Sequence, residues 1–206
     1  RRLLDLSIKN AMLYRQEKLR QYEKLNPQVR VDRLMEKMRD DLRLNELPRH
    51  IECFDNSNFQ GTYPVSACVV FKDGKPAKQE YRHFNIKTVK GPDDFATMKE
   101  AITRRYTRLM EQKEPLPQLL VVDGGKGQLS AAVEALKEIN VYSKLAVIGI
   151  AKRLEELYYP NDPNPLYIDK RSETLKVIQH MRDEAHRCGL RARGTEVAQA
   201  VGQEAD

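Results

Sequence analysis

Apolar positions in the first fifty residues recur at helical spacing. Leu3, Leu6, Leu13 and Leu19 mark one run and Leu34, Met38 and Leu42 a second, with a break at Asn26-Pro27, where the residue before proline is driven out of the helical region. Two helices are expected there. From Pro48 onward the period shortens. Residues 51–55 read as a first strand, residues 65–71 as a second that turns at Asp73-Gly74, and residues 79–86 as a third, joined tightly enough to form an antiparallel meander. Gly91-Pro92-Asp93-Asp94 then opens a helix with acidic residues in its first turn and Phe95, Met98, Ile102 and Leu109 along one face. Residues 119–122 are unbroken apolar, the pattern of a strand buried on both sides. A glycine turn, Gly124-Gly125-Lys126-Gly127, leads into a helix over 128–139, and residues 145–150 make a fifth strand. After a loop over 160–165, Ser172 caps a last helix that turns Leu175, Ile178, Met181 and Ala185 inward. Short extra strands fit at 156–159 and 166–169, and no internal repeat is present.

Composition bounds this picture without changing its class. The 206 residues are 40% apolar, enough for one core, and 32% charged. The expected organisation is a helical linker over 1–47, an α/β domain over 48–189 and an irregular tail over 190–206. Of the net charge of +6, five charges fall in the first fifty residues, which hold thirteen Lys and Arg against eight Asp and Glu. A solvated helical linker accounts for that bias, and direct contact with DNA is the sharper alternative. No stretch approaches the roughly 20 apolar residues of a spanning helix and no leader-like run opens the chain, so a cytoplasmic protein without a membrane partner is expected. Cys53, Cys68 and Cys188 are too few and too scattered for a disulfide framework or a zinc site and read as reduced core thiols.

The order βββαβαβ followed by a helix is that of a ribonuclease H-like fold: α/β, a mixed sheet of about five strands with flanking helices, preceded here by an N-terminal helical segment. In that topology the first strand lies beside the fourth. Their carboxy ends carry Asp55 and Asp123. A carboxylate at the end of an apolar strand must be paired, hydrogen-bonded or bound to a cation, and two side by side repel unless a cation neutralises them. Hard oxygen donors select Mg2+ or Mn2+, an ion suited to holding a scissile phosphate and acidifying an attacking water. Turn-capping by Asp55 and an Asp-Gly turn at Asp123 are the plainer readings of the same residues.

Seven ordered motifs carry a resemblance. Ile51-Glu52-Cys53-Phe54-Asp55, Arg82-His83-Phe84-Asn85-Ile86, Gly91 to Phe95, Arg104-Arg105-Tyr106, Val122-Asp123-Gly124-Gly125-Lys126-Gly127-Gln128, Ile150-Ala151-Lys152-Arg153 and Arg182-Asp183-Glu184-Ala185-His186-Arg187 closely resemble the C-terminal half of the UvrC family, nuclease subunits of the bacterial excinuclease ABC, over residues 1–188. The resemblance implies a metal-dependent endonuclease making the 5′ incision beside a lesion in damaged double-stranded DNA, with UvrB and the UvrA pathway as partners. It implies catalytic positions at Asp55, Asp94, Asp123 and His186. By itself His186 reads as a surface residue, and Asp94 as a helix cap, a role that Asp93 fills equally well. The chain departs from the family at Asn56-Ser57-Asn58 and after Arg187. The family's GIY-YIG nuclease domain, UvrB-binding motif and helix-hairpin-helix pair are not in this sequence, so a fragment of the subunit is expected. Alternatives from other classes are a catalytically silent RNase H-like module holding DNA or protein, and an endonuclease V-like repair nuclease.

The basic residues divide similarly. Gly124 to Gly127 lacks Walker A spacing, which leaves an ATPase reading weak. Its glycines instead let backbone N-H groups approach a phosphate at a helix start, with Lys126 as a point charge. Lys152-Arg153 follows the fifth strand on the same rim, and of Arg104-Arg105 in mid-helix one is expected to face DNA. These five residues are the candidate DNA contacts.

Overall fold

A computed structural model of the chain describes residues 2–57, 64–86, 89, 93–150 and 156–203. Two helices, α1 (Arg2–Leu25) and α2 (Pro27–Asp41), precede three strands, β1 (His50–Ser57), β2 (Val65–Lys72) and β3 (Lys75–Pro76). A single 3-10 turn over Lys78–Glu80 separates β3 from β4 (Arg82–Asn85), so the third strand read over 79–86 shortens to β4 and β3 is a further piece that the sequence did not mark, both paired with β2. Then come α3 (Asp94–Glu111), β5 (Leu119–Asp123), α4 (Lys126–Glu138), β6 (Ala146–Ile150), β7 (Glu156–Tyr158), β8 (Leu166–Tyr167) and α5 (Glu173–Gln203). Among the described residues the strands form one mixed sheet in the order β3-β2-β1-β5-β6-β7-β8, β4 lying beside β2 off that path. β1 is antiparallel to β2 and parallel to β5, the neighbour relation expected of the fold.

Side chains alternate across the strands and so build two cores. Ile51, Cys53, Leu119 and Val121 face α2 and α5, packing on Met38, Ile178, Met181 and Ala185. Phe54, Leu120 and Val122 face α3 and α4, packing on Met98, Ile102, Leu129 and Leu136. The unbroken apolar run of β5 is thus explained by burial on both faces. The three cysteines are free and buried.

Two expectations change. The second N-terminal helix is more than a solvated linker, because Met35, Met38 and Leu42 are fully buried against the sheet and Asp41 accepts hydrogen bonds from Ser172 and Thr174 at the start of α5. Only α1 keeps the solvated character, with Leu3, Leu6, Leu13 and Leu19 all exposed. The tail expected to be irregular from residue 190 continues α5 to Gln203: Arg, Ala, Gln and Glu make up over half of it and no proline interrupts, which outweighs the weak helix formers Gly194 and Gly202. No helix among the described residues is long and apolar enough to cross a membrane.

Candidate active site

The carboxy ends of β1 and β5 meet in register. Ile51 pairs with Leu119, and four residues on Asp55 pairs with Asp123. Both aspartates share the strand phase of Ile51, Cys53, Leu119 and Val121, so they project on the α5 side. The Cys53 thiol, two residues before Asp55 on the same face, feels both: burial first, then the charges of Asp123 and Asp55, push its pKa well up and keep it a neutral packing group. Asp55 is nearly buried and Asp123 half-buried.

α5 brings the third group. His186 places Nδ1 3.4 Å from Asp55 Oδ2 while 62% of its side chain stays exposed. Its inward neighbours Met181 and Ala185 set the helix phase, and contacts on either side of it fix the register. Glu184 accepts from Tyr81 Oη at 3.1 Å and from Arg187 Nη2 at 2.6 Å, and the Arg187 hydrogen bond holds the Glu184 carboxyl below its usual range. Cys188 Sγ lies 3.6 Å from His83 Nε2 on β4.

Asp94 arrives from the other layer. Asp93 takes the cap of α3, its side chain accepting from the backbone N-H groups of Phe95 and Ala96, so Asp94 is left as the first helical residue. Asn56, marked in the sequence only as a departure from the family, donates from Nδ2 to the Asp94 carbonyl at 2.8 Å and ties the start of α3 to the end of β1. The alternation of β1 was the available signal, since it turns Asn56 toward α3 as it turns Asp55 toward α5. The structure therefore gathers Asp55, Asp123 and His186 on one face and anchors Asp94 at the same sheet edge from the opposite layer.

The basic candidates separate sharply. Lys126 opens α4 and is exposed, its Nζ donating to the Pro163 carbonyl at 3.0 Å and lying 4.9 Å over the Tyr158 ring. The Gln128 side chain lies over Gly124, where a Cβ would fall 1.5 Å from its Oε1 and make it move aside. Arg104 is exposed, bonded to the Asn85 carbonyl and Glu100, with its guanidinium over Phe84. Arg105 is a correction: it is buried and reaches Glu52 Oε1 at 2.5 Å in the core, so it does not present itself to DNA. Lys152 and Arg153 lie outside the described residues.

Among the described residues no group of three or more His, Cys, Asp or Glu side chains is gathered tightly enough to enclose an ion. Two carboxylates paired in register where β1 and β5 stop running side by side nonetheless match the donor type of a magnesium-type site, since that ion keeps several waters and is usually held through one or two carboxylates. The chain's own residues fit such an ion as an open site and not as a cage.

Residues 39–190 match the family model of the UvrC RNase H endonuclease domain. The chain is 62% identical over 190 residues to UvrABC system protein C of Flavobacterium johnsoniae and 60% identical over 190 residues to that of Porphyromonas gingivalis, in each case covering 92% of this chain and 32% of the relative. It thus spans about a third of the length of these curated relatives. A crystal structure of Ciona intestinalis endonuclease V with an inosine-containing DNA aligns at a TM-score of 0.40 and 21% identity, covering 80% of this chain and 69% of that one, a likeness too loose to argue from.

Proposed function

Because the chain belongs to the UvrC RNase H endonuclease domain family, we propose that it hydrolyses one phosphodiester bond of damaged double-stranded DNA, the 5′ incision of bacterial nucleotide excision repair, in the cytoplasm and as part of a longer subunit working with UvrA and UvrB. One observation carries the reading: Asp55 and Asp123 stand in register at the ends of adjacent parallel strands, with His186 beside Asp55. That geometry favours an endonuclease over a silent binding module, since a module that only held DNA gains nothing from concentrating two carboxylates where phosphates would be repelled.

Asp55 and Asp123 are the residues that would hold Mg2+ or Mn2+, with Asp94 reaching the same edge from α3. Such an ion, when bound, supplies positive charge to the reacting phosphate and acidifies water. His186 is exposed enough to meet solvent and close enough to Asp55 to be oriented by it, which suits it to take a proton from the attacking water or give one to the departing oxygen. Lys126, Arg104, Lys152 and Arg153 would hold the flanking phosphates, while the backbone N-H groups at the start of α4 present their positive dipole end to the strand. In the full subunit, Asp55→Asn, Asp123→Asn and His186→Ala should each lower the 5′ cut by about a hundredfold or more, within the range of a lost acid, base or electrostatic group, and leave the 3′ cut intact. Calorimetry should show Mn2+ binding lost in Asp55→Asn. Unchanged Mn2+ affinity in that variant, or joint loss of both cuts by a well-folded one, contradicts the assignment.

A further inference from the structure

Phe95 follows Asp94 in the first turn of α3 and is 56% exposed, whereas Met98, Ile102 and Leu109 of the same helix are buried. A lone exposed aromatic needs no explanation in general. This one differs in resting against a glycine. A Cβ built on Gly127 would lie 2.5 Å from Phe95 Cε1 and 2.7 Å from Cζ, so the ring rests on the bare backbone of the second residue of α4. Any other residue at 127 would push the ring out of this place, whereas glycine, otherwise unfavourable in a helix, leaves it there. One edge of the ring is held by packing, and the rest of it is open.

Its surroundings are those of the proposed site. On one side is Asp94, whose carbonyl is tied by Asn56 to the strand end that carries Asp55. On the other is the first turn of α4, which begins three residues after Asp123 and whose Gly125 cap offers no side chain to its N-H groups. The ring therefore stands between a carboxylate edge and a helix start suited to phosphate. A nucleotide whose phosphate lies at that edge carries its base within reach of a flat apolar face, and stacking of base on aromatic is strong and indifferent to sequence.

We propose that Phe95 is a stacking platform for the nucleotide adjoining the scissile phosphate, positioning the strand over Asp55 and Asp123; the identity of the substrate rests on the nuclease reading above. Gly127 is the space reserved for that platform. The test uses the 206-residue chain and DNA strands carrying 2-aminopurine at successive positions, with divalent ions chelated so that no cutting occurs. Wild type should quench the fluorescent base. Phe95→Leu should lose the quench and bind about tenfold more weakly, in keeping with loss of one aromatic-base stack. Phe95→Tyr should restore both, and all three proteins should melt alike because the ring is mostly exposed. Asp123→Asn, which removes only the proposed chemistry, should still quench. Quenching that depends on Phe95 in a chain that never cuts, even with Mn2+ and its partners, would sustain the platform and sink the nuclease reading. Wild-type quench and affinity in Phe95→Leu, in a chain that does cut, would overturn the platform alone.

Discussion

Two carboxylates on one strand meet opposite fates. Glu52 and Asp55 are three residues apart on β1, both with little solvent access, and the pleat turns them to opposite faces. Glu52 is sealed beneath α3, where Arg105 Nη2 approaches to 2.5 Å and His50 Nε2 to 3.5 Å. Burial alone would push its pKa up, but the nearby His50 imidazole and the hydrogen bonds and charge of Arg105 outweigh it and the carboxyl ends below its usual range. Asp55 lies at the last parallel pair of β1 with β5, beside Asp123 and an exposed imidazole. A charge enclosed by its own counter-ion belongs to the architecture. One placed at an edge beside a second like charge is arranged for something that arrives from solution.

The sharpest way to break this contrast is to remove the internal counter-ion. Arg105→Met leaves Glu52 buried and uncompensated, and losing one partner of a buried pair costs about 3–5 kcal/mol. Urea unfolding should show that loss, while the double variant Glu52→Met with Arg105→Met should recover most of it, because a packed apolar pair replaces a desolvated ionic one. Asp55→Asn should by contrast change stability by no more than about 1 kcal/mol, since an isosteric amide still fills the strand end and mutual repulsion with Asp123 disappears. If Arg105→Met is as stable as wild type, Glu52 is not held by Arg105 and the contrast collapses.

Acid sharpens the same comparison with a smaller effect. Because the folded pKa of Glu52 lies below its unfolded value, its contribution is present above the ordinary carboxylate pKa of about 4.3 and is lost as pH falls through the depressed folded value. Unfolding midpoints measured from neutral pH down through this range should therefore fall more steeply for wild type than for the Glu52→Met, Arg105→Met double variant. Parallel curves would assign the acid sensitivity to other carboxylates, such as Asp41 and Glu184, whose folded values are also lowered.

How far these roles can be read from sequence depends on the residue. The Asp55–Asp123 juxtaposition was legible because each ends an apolar run and the element order fixes which strands are neighbours. The cap at Asp93 was open to either of two adjacent aspartates until backbone geometry chose. Arg105 was misread although its phase was visible: it lies three residues after Ile102 and four before Leu109, on the apolar face of α3. An arginine on that stripe requires a buried acid, and Glu52, flanked by Ile51 and Cys53, was the available one. The contact between Phe95 and Gly127 was beyond reach, since it joins two helix starts whose approach is set only by the assembled sheet.

The smallest expected effect concerns the DNA surface, and the loss of Arg105 from it makes the estimate tighter. Lys126 and Arg104 remain exposed among the described candidates, and Lys152 and Arg153, which lie outside the described residues, follow β6 in the sequence; if all four meet DNA, as proposed, the chain makes about four phosphate contacts. Each contact contributes about 0.9 to the slope of log affinity against log salt on duplex DNA, which gives a slope of roughly −3 to −4 for this chain. Binding should be weak and without lesion preference, because outside the first fifty residues the chain carries 23 basic against 22 acidic residues. Lys152→Ala should weaken damaged and undamaged duplexes equally and make the slope shallower by about one, and Arg104→Ala should do the same by a smaller margin, since its guanidinium is already bonded to Asn85 and Glu100. Fluorescence anisotropy over a salt series measures all of these, and a slope unchanged in both variants would place the phosphate contacts on the basic helices of the first fifty residues and not on the rim around Asp55.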